Sequence, residues 1–186
     1  MIEFHFNVKK SAQAASILLR LNGGDMGNYC FIKMLYLADR EAIKRWGLPI
    51  TGDAAVSMQH GPVLSQIYDL TKGEAPHLRA EWEPFISDAD EETHRVVLKA
   101  VPENDELSEV EIRILQKIHT EFKGFSWKQM RDYCHRFEEY DGSVGKSSKP
   151  IANEKILKAV GKSADEIAET ERSINEAKML QLLFGA

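Results

Sequence analysis

The segment from Asn28 to Trp46, NYCFIKMLYLADREAIKRW, most constrains the fold. Phe31, Ile32, Met34, Leu35, Tyr36, Leu37 and Ala38 fall on more than one side of a helix. A helix apolar around most of its girth is buried rather than laid on a surface. The fold is therefore expected to be built around this helix, starting at Asn28 and closing at Gly47. Asp39 sits inside its apolar stripe, with Leu35 and Ile43 four positions to either side. A carboxylate placed there must be paired, hydrogen-bonded or neutral. Two readings stand open: Asp39 caps a nearby turn or pairs with a basic side chain, or it lines a pocket.

Around that helix the local signals are mostly helical. Asn7 caps a first helix of about 15 residues, which ends at Gly23-Gly24. AAVSMQ at 54–59 reads as a short strand. Gly61-Pro62 reads as the opening of a third helix, since proline fits a first turn whose N–H has no partner; Gly73 ends it. LRAEWEPFI at 78–86 alternates with period two, and HRVVLKAV at 94–101 is β-prone, so the pair predicts a hairpin joined by the acidic loop SDADEET. Three capping boxes follow, Ser108 with Glu111, Ser126 with Gln129, and Ser163 with Glu166. Leu107 with Ile112 and Phe125 with Met130 occupy staple positions beside the first two. The stretch near 139–149, rich in Gly, Ser and Lys, reads as a flexible loop. The terminal KMLQLLFGA is apolar: it docks back on the domain, forms a homodimer seam, or contacts a partner. No internal repeat or second domain is apparent in residues 1–186. The prediction is an α+β, mostly α-helical single domain with a small antiparallel β element.

Composition excludes several classes. The chain has 186 residues, 43% hydrophobic and 28% charged, which suits one globular core. No apolar run reaches the roughly 18–20 residues of a membrane span, and MIEFHFNVKK lacks the pattern of a secretory signal. Cys30 and Cys134 form no CxxC pair, so a reduced, cytoplasmic protein is expected. A net charge of −5 makes nucleic acid an improbable partner for the chain on its own. The six histidines are scattered, with no HExxH, so no metal site is expected. No nucleophile motif or phosphate loop occurs, so no catalytic residue and no cofactor is predicted. An enzyme assembled from distant residues would have Asp39 and His60 as its first pair.

Binding candidates follow from residue type and spacing. Lys33, Arg40 and Lys44 lie at i, i+7 and i+11, on one helix face. Such a face meets solvent, an acidic partner or a nucleic acid backbone. His60 precedes the Gly-Pro turn and either satisfies itself locally or touches a partner. Tyr36 and Tyr68 are core residues or interface anchors.

The block IKMLYLADR, the turn GLPITGD and the segment QHGPVLSQIYDL together resemble the Panacea, or SocA-like, antitoxin domain of bacterial and phage toxin–antitoxin pairs. The likeness is strongest over 28–70 and extends over the first helix and KPIANEKILKAVG. Met34 stands where leucine is usual, and no appended DNA-binding module is present. The resemblance implies a mainly helical domain that is not an enzyme and that binds and neutralises a cognate protein toxin. It marks Asp39 as a hallmark of the domain. It leaves open a proteolytic adaptor that delivers the toxin to a protease, or a transcriptional regulator.

Overall fold

Helices α1 (Val8–Leu21) and α2 (Asn28–Trp46) are linked by strand β1 (Asp25–Gly27). Strands β2 (Ala55–Met58) and β3 (Gly61–Leu64) follow, then α3 (Ser65–Thr71), the short α4 (Arg79–Trp82) and β4 (Arg95–Val97). The rest comprises α5 (Glu109–Phe122), α6 (Trp127–Cys134), a 3-10 turn (Gly142–Val144), β5 (Lys149–Pro150), α7 (Asn153–Ala159) and α8 (Ala164–Phe184). The computed structural model describes residues 2–184, the side chain of Gln181 excepted. Two antiparallel sheets are present among them: β1 with β4, and β2 flanked by β3 and β5. The architecture is α+β and mostly helical, as the sequence predicts.

Helix α2 occupies the centre. It packs against α1, α3, α5, α6 and α7, and against β1, β3 and β4. Phe31 and Leu35 are fully buried, and Met34, Tyr36 and Ala38 nearly so. Gly47 closes it in the left-handed region (φ 84°), its N–H donating to the Ile43 carbonyl. The predicted caps are in place. Asn7 Oδ1 accepts from Lys10 N at 2.9 Å, both members of the Ser108–Glu111 and Ser126–Gln129 boxes bond reciprocally, and Ser163 and Glu166 do the same.

Three local expectations are corrected. Gly61-Pro62 does not open a helix; it lies in strand β3, and the helix begins at Ser65. Residues Gln59 and His60 form a two-residue connection, with Met58 opposite Gly61 and Ser57 opposite Pro62. The Pro62 carbonyl points away from β2 and accepts from Lys33. Its missing N–H therefore faces the sheet's open edge, where a proline costs no ladder bond. The α3 start is instead capped from outside by Asp53, whose carboxylate accepts from Gln66 N and Ile67 N at 3.2 and 2.9 Å.

Residues 78–86 are not a strand. Arg79–Trp82 forms one helical turn that buries Trp82 against Phe31, their ring centroids 6.5 Å apart. Burial of one large aromatic outweighs the period-two pattern. Strand β4 is real but pairs with β1, Met26 opposite Val96; residues 85–87 return to it through a single bridge among the described residues, Ile86 with Leu98.

The apolar end of α8 does not dock back. Leu182 and Phe184 are 87% and 75% exposed, while Ile167 and Ile174 nearer its start rest on the core. Gly185 and Ala186 of that segment, and Met1 of the N-terminal one, lie outside the described residues.

Candidate functional site

The first turn of α2, the tip of the β2–β3 hairpin and the start of α6 meet in one aromatic cluster. The Tyr29 hydroxyl donates to the His60 carbonyl at 2.5 Å. The rings of Tyr29, His60 and Trp127 lie edge-on to one another, with centroids 5.9–6.3 Å apart. Trp127 follows the Ser126 cap directly, so the capping box fixes where its ring emerges; it is 45% exposed. The cations of Arg131 and Lys128 sit 5.4 and 5.7 Å from the Trp127 ring. Two clefts flank the cluster. One, of about 640 Å³, runs past Gly27, Phe125 and Trp127. The other, of about 370 Å³, lies between α2, the hairpin and Lys146. Tyr29, Ile32 and Tyr68 line both. His60 and Trp127 are exposed and Tyr29 is half-buried; aromatic rings beside concave apolar surface are the features of an interface anchor site.

Lys33 lies beneath this cluster and not on a solvent face. It is 1% exposed. Its Nζ donates to the Pro62 carbonyl at 2.5 Å and lies 5.5 Å from the Tyr29 ring centre. Burial pushes this ammonium down to about 7, because charge is disfavoured away from water. Gly61 (φ 103°) makes the approach possible: a Cβ there would stand 3.1 Å from Lys33 Nζ and 3.4 Å from Cys134 Cβ. Burial pushes the Cys134 thiol up to about 11, against the pull of Lys33 and Arg40.

The other members of the predicted basic face separate. Arg40 pairs with Glu139, Nε to Oε1 at 2.6 Å, and its guanidinium carbon lies 4.0 Å from the centre of the Phe137 ring. Glu139 is 1% exposed and also accepts from the Tyr36 hydroxyl at 2.8 Å. Tyr36 is therefore a core residue. Lys44 alone of the three is exposed. The common solvent face expected for Lys33, Arg40 and Lys44 is thus absent: a lysine long enough to reach a strand-edge carbonyl and an arginine offered a buried acid both turn inward.

The stretch 139–149 is tied down at several points. Tyr140 donates to the Met58 carbonyl at 3.1 Å, Asp141 N donates to Ser57 Oγ at 3.0 Å, and Lys149 pairs with Asp141 at 2.7 Å.

Asp39 caps a backbone turn, the first of its two readings. Oδ1 accepts from Ile50 N and Thr51 N at 3.0 and 2.9 Å, and Oδ2 accepts from the Thr51 hydroxyl. Burial pushes the Asp39 carboxyl up to about 7, opposed by those bonds. The turn carries the N-terminal segment. Asn7 N donates to the Thr51 carbonyl, and Gly52 (φ 74°) passes so close to His5 that a Cβ would overlap its carbonyl. Asp39 and His60 are not brought together. His60 touches Tyr29, ten residues and about 15 Å along α2 from Asp39. Among the described residues no three His, Cys, Asp or Glu gather as metal ligands, and no helix is long and apolar enough to cross a membrane.

Of the predicted binding residues, His60 belongs to the ring cluster, Tyr68 lines the two clefts beside it, and Lys33 lies below. Tyr29 and Trp127 were missed. Each follows a helix start, but 98 positions separate them, and no local pattern announces their meeting.

No curated protein and no solved structure matches the chain. The antitoxin SocA-like, Panacea domain model matches residues 31–140, which hold most of the hairpin site and the Glu139 anchor; that span exceeds half of the chain, and the chain belongs to this family.

Proposed function

We propose that the chain binds a cognate protein toxin and neutralises it by direct contact, using the surface around Tyr29, His60, Tyr68 and Trp127. Family membership supports a toxin–antitoxin role in general. The observation that carries the finer reading is the aromatic triad between two clefts, with His60 and Trp127 exposed and Tyr29 half-buried beneath them. Aromatic anchors at the centre of a patch supply most of the energy in protein interfaces. The chemistry assigned here is binding rather than catalysis: Asp39 is committed to a turn and lies remote from His60. A reduced, cytoplasmic setting goes with this reading, as does a phage or bacterial gene pair.

Co-expression with the product of the neighbouring small reading frame tests it. Growth rescue together with a co-purifying complex is the expected result. Rescue with no complex, accompanied by loss of the toxin only where a protease is intact, would replace direct neutralisation by adaptor function. Rescue with falling toxin transcript would replace it by repression.

A further inference from the structure

The smaller cleft has an unusual charge balance. The chain carries 29 acidic residues, yet none lines this cleft. Lys33 lines it, and His60 and Lys146 are exposed beside it. Lys33 forms no ion pair with a carboxylate among the described residues; its one acceptor there is the Pro62 carbonyl. An ammonium offers three donors and the Pro62 carbonyl takes one; with Lys33 1% exposed, a ligand reaches the other two only by parting the cover of the cleft. Ile32, Val63 and Tyr68 supply apolar wall.

The groups packed around Lys33 do not provide the missing anion. From α2 comes Tyr29, from α6 Cys134 and the adjoining His135, and the hairpin's His60 shares the cleft lining. Burial raises both the Tyr29 hydroxyl and the Cys134 thiol, which keeps them uncharged at neutral pH. A buried cation without an anion is costly, and an arriving carboxylate would remove that cost.

We propose that this cleft receives an acidic side chain of the partner protein, an Asp or Glu set beside an apolar residue, with the carboxylate at Lys33 and its apolar neighbour against Ile32 and Tyr68. The inference rests on the antitoxin reading and deepens it, by naming the chemistry the toxin presents. Binding takes up a proton at Lys33, because the carboxylate favours the ammonium.

The test uses the full chain carrying ¹³Cε-labelled lysine, titrated with phenylacetate and, as the neutral counterpart, phenylacetamide. Phenylacetate is expected to raise the Lys33 titration midpoint by about one unit or more, and phenylacetamide to leave it in place. Lys146→Glu, at the exposed rim, is expected to weaken phenylacetate by about tenfold. Equal responses to the two ligands, or no phenylacetate binding, overturn the carboxylate site. A second arm measures affinity for the neighbouring toxin with Lys146→Glu and with Lys33→Met, the fold of each checked by circular dichroism. A loss of about tenfold is expected. Toxin affinity unchanged in both variants overturns the proposal and leaves the antitoxin reading standing. Absence of any toxin complex removes that reading and, with it, the partner assigned here, whatever phenylacetate does.

Discussion

Replacing Lys33 by methionine should change how stability responds to pH. Lys33 is buried, and its ammonium titrates near 7 in the folded chain against 10.5 as the ordinary value. Between those values the unfolded chain binds more protons than the folded one. Stability therefore rises with pH across that window, and the full penalty applies below about 7. A lysine with those two values contributes roughly 1.5 kcal/mol of added stability between pH 7.0 and 8.5. The Cys134 thiol, raised from 9.0 to about 11, pulls the other way mainly above pH 9, so the range stops at 8.5. Urea unfolding of wild type and Lys33→Met, followed by circular dichroism at three pH values, isolates the effect. The difference in unfolding free energy, wild type minus variant, should climb by roughly 1.5 kcal/mol from pH 7.0 to 8.5. Methionine keeps the length of the stem and removes the charge, so the other titrating groups largely cancel. A difference that stays flat with pH would show that Lys33 is solvated and that its burial under Gly61 is wrong.

Other consequences follow from the same contacts. Glu139→Gln strands the half-buried Arg40 and should cost about 3 kcal/mol, read as a lower urea midpoint at unchanged m-value; a shift under about 0.5 kcal/mol would make the pair a surface one. Asp39→Ala should free the 50–51 turn, with amide exchange at Ile50 and Thr51 accelerating more than at core positions of α5; equal acceleration everywhere would deny a local cap. Gly61→Ala should destabilise by about 2 kcal/mol, from positive φ and contact with Lys33 Nζ, while Gly124→Ala, with open space at its Cβ, should be close to neutral. Trp127→Ala should leave the melting temperature within a few degrees of wild type yet weaken toxin binding by about 2 kcal/mol, roughly thirtyfold by calorimetry.

The elements legible in the sequence were those fixed by neighbours in the chain. Asn7, Ser108, Ser126 and Ser163 each bond to a residue three positions on, so their helices could be placed from spacing. The centrality of α2 could be read from its girth. What escaped depends on distant partners. Strand β4 pairs with residues 25–27, some seventy positions earlier, and Glu139 is buried by Tyr36 and Arg40, about a hundred positions away. Pro62 looked like a helix start because the feature that makes it a strand residue, an open sheet edge facing Lys33, exists only after folding. The candidate site shares that limit. His60 and Tyr68 could be proposed from type and position, but Tyr29 and Trp127 become a pair only through the packing of α2 on α6.

Direct neutralisation is tested most sharply by the dissociation constant of the purified chain with the purified product of a small reading frame adjacent to its gene, measured by isothermal titration calorimetry. The expected result is a saturable complex of about micromolar affinity or tighter, weakened by Trp127→Ala and accompanied by loss of toxin activity in proportion to occupancy. Neutralisation of the toxin in cells with no measurable complex between the purified proteins would contradict it.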